Sequence, residues 1–375
     1  MILLSRILRV SDGREDFSTN LSWVVSFIRT AQTLKYIQGN VMSMPIDVHN
    51  HWYPVQYLKI LAEHGGRFGW EVVHDRDGTP VLRSSRGYIF RCTRATNNAE
   101  ARVAELDEGG LDIQVMSVSE PWVDFLQPPQ STKLAQMVND DIARACERFP
   151  GRLEGMATVP VNDVDAAVEE LKRCVDELGF KGVIIPTRVN GEEAISFVKH
   201  YPIFETACKL GVPVFIHPSL PPGTEAMKQN LTGLMVGYPA ETTLVVADLI
   251  AAGLLDRLPQ LKILLADLGG ALPYVAGRMV RFYEAFEHLR RKMAHEPLHY
   301  LKLMYYENGA AAHPTAMDYL YRLVGPRNIM LGSNHPSPIG HFTKCMESIR
   351  AMSVLEDEKE MMLHGNAAEI FRLES

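Results

Sequence analysis

Cysteine is scarce and unpatterned in this chain: Cys92, Cys146, Cys174, Cys208 and Cys345 stand apart, with no Cys-x-x-Cys pair. That argues against a disulfide framework and a thiolate zinc site, and it suits a reducing compartment, the cytoplasm. Excess positive charge is absent too: 38 Lys and Arg face 45 Asp and Glu, a net charge of −7. The electrostatic footprint of a nucleic-acid or anionic-membrane binder is therefore missing, and a small molecule is the expected partner. No apolar run approaches the roughly 20 residues that a membrane span needs. The early apolar stretch, residues 21–28, follows charged residues and has no small-residue cleavage pattern, so it does not read as a secretory signal. Internal repeats, low-complexity tracts and linkers are lacking as well.

What is present from Pro45 onward is an alternation of short β-branched runs with amphipathic helical stretches. That order predicts a parallel sheet with crossover helices, and there are enough units for a single (β/α)₈ TIM barrel. Strands are expected at 46–48, 113–118, 154–161, 182–185, 212–216, 263–265, 304–306 and 329–331. Residues 1–43 form an N-terminal extension to which no role is assigned, and 44–375 make one barrel domain. Within it, 54–100 read as an irregular insertion after strand 1, near the barrel mouth.

In such a barrel, polar residues just past the strand ends face the active-site mouth while the strand bodies fill the core. Those positions hold His49 and His51, His217, Asp267, Glu307 and Asn308, and Asn334 and His335. Residues i and i+2 of a strand share a face, so His49-x-His51 presents both imidazoles to one side, and neutral imidazole suits zinc or another borderline divalent metal. Alone, that pair is as well explained as a chance pair on a polar loop. His217, at the end of the later run Val-Phe-Ile-His-Pro, tips the balance toward a metal. The other histidines lie in helices and loops and read as structural or solvated.

The segments Ile46-Asp47-Val48-His49-Asn50-His51, Phe215-Ile216-His217-Pro218, Gly269-Gly270-Ala271-Leu272-Pro273, Leu331-Gly332-Ser333-Asn334-His335-Pro336 and His364-Gly365-Asn366-Ala367-Ala368 resemble, in order, the amidohydrolase-related family typified by 2-amino-3-carboxymuconate-6-semialdehyde decarboxylase. The resemblance implies a metal-dependent-hydrolase-type barrel. It also implies one divalent metal, zinc in first place and manganese in second, held by His49, His51, His217 and a group at position 334. The implied activity is decarboxylation of a small aromatic or unsaturated carboxylic acid by activated water or acid/base chemistry. Hydrolysis, hydration or deamination within the same superfamily is the alternative.

Two positions depart from the family pattern. Asp267 stands where relatives have a catalytic His, and Asn334 where they have an Asp ligand. An amide is neutral and a poor ligand for borderline metals, and an imidazole is the side chain best suited to acid/base work near neutrality. Three readings follow. Asp267 and His335 take over the two missing roles; or the metal is weakly held or absent and Asp267 acts as the base of a different reaction; or the chain is a silent homologue that binds a ligand. At Asp267 a helix-capping role competes with the catalytic one.

The resemblance also implies that Arg91 contacts the substrate carboxylate and that Arg278 reaches the pocket of a neighbouring subunit, making the unit a homodimer; a guanidinium fork suits carboxylate recognition, and a surface ion pair is the alternative for each. Ser219 stands where close relatives carry a Trp, and the smaller side chain is expected to open the mouth and remove a stacking surface.

Overall fold

The computed structural model describes residues 45–373, so the expected extension, 1–43, lies outside the described residues. The strands are β1 Ile46–Asp47, β2 Trp70–His74, β3 Pro80–Ser84, β4 Ile89–Arg91, β5 Ile113–Met116, β6 Leu153–Thr158, β7 Gly182–Pro186, β8 Arg188–Val189, β9 Glu193–Ala194, β10 Val214–His217, β11 Ile263–Leu265, β12 Tyr305–Glu307 and β13 Ile329–Met330. Eight of them form one sheet in the order β1-β5-β6-β7-β10-β11-β12-β13. Every pairing in it is parallel. The first and last strands meet through Val48 N–H, which donates to Leu331 O at 3.0 Å, and a parallel bridge between Asn50 and His335. The sheet thus closes into the expected barrel.

Strands such as β7 and β10 read as unbroken apolar runs because both of their faces are covered, and Val183, Ile184, Val214 and Phe215 are all buried. The principal helices are α1 Val55–His64, α2 Ala99–Gly109, α3 Gln130–Arg148, α4 Val164–Asp176, α5 Phe197–Leu210, α6 Tyr238–Ala251, α7 Leu272–Ala285, α8 Pro314–Val324 and α9 Phe342–Arg350. Five begin on side-chain caps: Asn98 accepts from Ala101 N, Asp163 from Ala166 N, Ser196 from Lys199 N, His313 from Thr315 N and His341 from Lys344 N.

Two sequence expectations need correcting. The insertion is regular, consisting of α1 and an antiparallel sheet β2-β3-β4. The polar stretch Asp75–Gly78 that suggested irregularity is a hairpin turn, in which Thr79 N–H donates to the carboxylates of Asp75 and Asp77 at 3.1 and 3.0 Å. At the next turn, Arg86 donates to Glu225 (2.9 Å), Glu192 (2.6 Å) and Gly191 O (3.0 Å). One guanidinium therefore clasps the insertion onto loops that follow β7 and β10, at the barrel mouth. Second, the stretch Gly233–Ala251, 19 residues, is helical, long and apolar enough to cross a membrane by length and composition. Val245, Val246, Leu249 and Ile250 bury one face of it in the protein core.

Candidate metal centre at the barrel mouth

His49 and His51 follow β1, and His217 is the last residue of β10. Their ring centroids lie 5.0 to 5.2 Å apart in edge-on pairs. One potential ligand atom from each lies within 4.8 Å of those of the other two, and all three side chains are buried. The residues expected to converge from separate strands do so.

Each ring is held by its other polar contact. His49 Nδ1 is 2.9 Å from Glu307 Oε1; since a carboxylate accepts, Nδ1 carries the hydrogen and, in the neutral ring, leaves a lone pair on Nε2. That Nε2 is buried and has no hydrogen-bond partner. His217 Nδ1 is 2.9 Å from the Pro218 carbonyl, which sets the same tautomer in a neutral ring. His51 Nε2 lies 2.8 Å from Asn334 Oδ1. Burial holds His51 and His217 well below the usual imidazole pKa, with the neighbouring His49 adding to it. At His49 burial also opposes charge, but the charge and hydrogen bond of Glu307 outweigh it and raise the pKa. An orphaned lone pair facing two neutral imidazoles is a donor set that fits a borderline divalent metal, and a carboxylate behind one ligand is the usual means of aiming it.

Asn334 sits at φ 57° and Asp267 at φ 51°. Few residues tolerate this left-handed region, Asn, Asp and His best among those with side chains, so the backbone permits both the residues present and those of the family pattern. Asp267 does not cap its own helix: its carboxylate accepts from Ala310 N at 3.0 Å, in the turn after β12, and its N–H donates to Glu307 Oε1 at 2.6 Å. His49, Asp267 and Glu307 form a second group within 4.8 Å. Burial, reinforced by the charge of Glu307 and opposed by His49, pushes the Asp267 carboxyl up to about 6.

His335 is engaged elsewhere. Its Nε2 is 2.7 Å from Glu105 Oε2 on α2 and its ring packs on Phe342. Burial takes its pKa down to about 4 despite Glu105. Of the two residues expected to take over the missing roles, Asp267 keeps a carboxylate by the trio, whereas His335 does not join it and pairs with α2. Arg91 is exposed and bound to Asp75 (2.6 Å) and Asp77 (2.5 Å), the ion-pair alternative. Arg278 is exposed on α7 with its guanidinium over the Phe282 ring. Ser219 is fully buried, and the space it leaves is taken by Trp122, whose Nε1 donates to Ser219 Oγ at 3.2 Å. The expected opening and loss of an aromatic surface are therefore not observed.

The residue sequence reasoning left without a role is Glu307. It stood among the strand-end polar positions with Asn308, and nothing in the sequence said which of the two faces the trio. The structure separates them: Asn308 Nδ2 donates to Cys345 O and to Ser348 Oγ, both at 3.0 Å, and its Oδ1 accepts from Gly332 N at 2.9 Å.

An eight-stranded parallel barrel with a histidine trio past its strand ends defines a metal-dependent hydrolase-type protein. Residues 46–373 match the amidohydrolase family, and the chain belongs to it. It is 32% identical over 337 residues to a 2-amino-3-carboxymuconate-6-semialdehyde decarboxylase of Dictyostelium discoideum, covering 88% of this chain and 92% of the relative. To a gamma-resorcylate decarboxylase of Polaromonas it is 28% identical over 319 residues, covering 80% and 92%. A solved 5-carboxyvanillate decarboxylase of Novosphingobium aromaticivorans, complexed with manganese and a nitrobenzoic acid, superimposes with a TM-score of 0.75 at 23% identity over 89% of this chain and 97% of that one. These relatives are decarboxylases of small carboxylic acids.

Proposed function

We propose that the protein decarboxylates a small aromatic or unsaturated carboxylic acid with the help of one divalent metal. The observation that carries this reading is the buried trio of His49, His51 and His217 with the unpartnered Nε2 of His49. Those three residues would hold the metal, and the Asn334 amide stands beside His51. Three neutral imidazoles favour zinc, while manganese is the metal of the solved relative. A metal held there would supply Lewis-acid polarisation of the substrate carboxylate. Glu307 fixes the His49 ring, and Asp267, next to it, is the group that holds or passes a proton. Arg278, exposed on α7, is free to serve a second copy of the chain in a homodimer.

The test is elemental analysis of the purified protein, followed by carbon dioxide release from 2-amino-3-carboxymuconate semialdehyde and from gamma-resorcylate. Stoichiometric metal that disappears in His49→Ala, together with turnover of either acid, is the expected result. A metal-free preparation that cannot be reconstituted overturns the reading and favours the silent homologue. Asp267→Asn should abolish turnover with little change in stability.

A further inference from the structure

The imidazole trio is bordered by aromatic side chains that come from outside the barrel strands. Phe90, on β4, has its ring centroid 6.3 Å from that of His51, and Trp122 and Tyr238 lie 5.4 and 6.3 Å from that of His217. Trp122 is the unusual member. Its backbone lies at φ 63°, a conformation that a bulky residue adopts only where its surroundings over-determine it. They do so here: its N–H donates to Ser119 O at 2.9 Å, its carbonyl accepts from Tyr57 OH at 2.5 Å, and its indole N–H is held by Ser219.

Gly or Asn at position 122 would satisfy the backbone with less strain, so the needs of the turn do not explain an indole there. The two backbone contacts hold the turn, and the Ser219 hydroxyl, a small acceptor, holds the indole edge-on to the His217 imidazole at 72°. Strain held beside a candidate metal centre is a signature of pre-organisation.

We propose that Trp122, pinned by Ser219, is the specificity-determining wall of this site: its indole receives the flat, unsaturated ring of the substrate acid and discriminates against saturated rings of equal size. The inference rests on the aryl-acid reading of the pocket. A planar ring meets an indole in offset or edge-on geometry with favourable quadrupole alignment, whereas a puckered cyclohexane ring is thicker and has no such term.

Benzoate and cyclohexanecarboxylate have the same carboxylate and ring size, and their affinities for the full-length, manganese-loaded protein measure the preference directly by calorimetry. Benzoate should bind more tightly, and Trp122→Leu should reduce its advantage by about 3- to 10-fold, with metal content unchanged. Ser219→Ala, which removes the pin but leaves the indole, should reduce it by less. In a parallel measurement, 3-nitrobenzoate should quench tryptophan emission in the wild type and do so measurably less in Trp122→Phe, which keeps a flat ring and serves if the leucine variant does not fold. An unchanged benzoate preference in folded Trp122→Leu, or equal quenching in Trp122→Phe, overturns the proposal and makes Trp122 a packing residue. If the metal-loaded wild type binds neither acid, the aryl-acid reading itself fails, and this inference with it.

Discussion

The contact between Glu307 and His49 ties a strand-end carboxylate to an imidazole of the trio whose Nε2 is buried and unpartnered. Second-sphere carboxylates of this kind commonly contribute 10- to 100-fold in metal affinity. Glu307→Gln keeps the size and most of the contacts, so the fold should persist while metal affinity falls by about that factor in a chelator-competition titration. At position 334 the opposite change is expected. Asn334→Asp fits the same left-handed backbone and adds an anionic ligand 2.8 Å from where His51 Nε2 lies, so the same titration should show tighter binding. Equal affinities for wild type and Asn334→Asp would place position 334 outside the coordination sphere. The three histidines were legible in the sequence because a His at a strand end has one plausible direction. The partners of Asp267 and His335 were not, since they come from residues 40 or more positions away: Ala310 and Glu105.

The end of β1 is held from outside the barrel by α2. Arg102, fully buried, donates to Ala95 O (2.7 Å), Asn50 Oδ1 (3.3 Å), Gln114 Oε1 (3.0 Å) and His51 O (2.6 Å). Burial lowers its pKa to about 10, partly offset by Asp47 and Glu105. Arg102→Met fills much of the volume but strands these acceptors, and should cost on the order of 3–5 kcal/mol in urea unfolding. A loss below about 1 kcal/mol would mean that water replaces the guanidinium. Between β13 and the mouth, a Cβ on Gly332 would collide with Glu307 Oε2. Gly332→Ala should therefore displace the carboxylate and weaken metal binding even though Ala is compatible with the backbone there. The alternation that marks barrel units in the sequence found all eight strands to within a few residues, because continuous apolar runs bounded by polar ends are what double burial requires. The hairpin β2-β3-β4 escaped it, since its turns are rich in charge and its outer face is exposed. So did α9.

The whole molecule carries two buried acids on the loop after β5. Burial pushes Glu120 and Asp124 up to about 7, although Tyr238 OH and Leu220 N donate to the first and Asn190 N to the second. Unfolded, both ionise near pH 4. Between about pH 4 and 7 the folded protein holds protons that the unfolded chain has released, so stability is full below that window and declines as pH rises through it. The buried histidines act in the opposite sense, so the acids' part is read as a difference: relative to Asp124→Asn, the wild-type urea midpoint should fall from pH 5 to pH 8, and a difference that rises over this range would contradict the burial argument. The overall architecture was readable because a barrel repeats one local rule eight times, whereas the tuning of its loops depends on contacts no local rule encodes. Closure of the barrel has a further consequence. Asp47 accepts from Ser333 across 286 positions of sequence, and the histidines past β1 meet an amide that follows β13. During synthesis the first two imidazoles wait for the strand that closes the barrel, so the site, with Asn334 beside His51, is complete only once β13 has left the ribosome. Metal uptake should then be among the last events of a slow, high-contact-order folding reaction, and nascent chains truncated before β13 should lack the assembled site however long they are given.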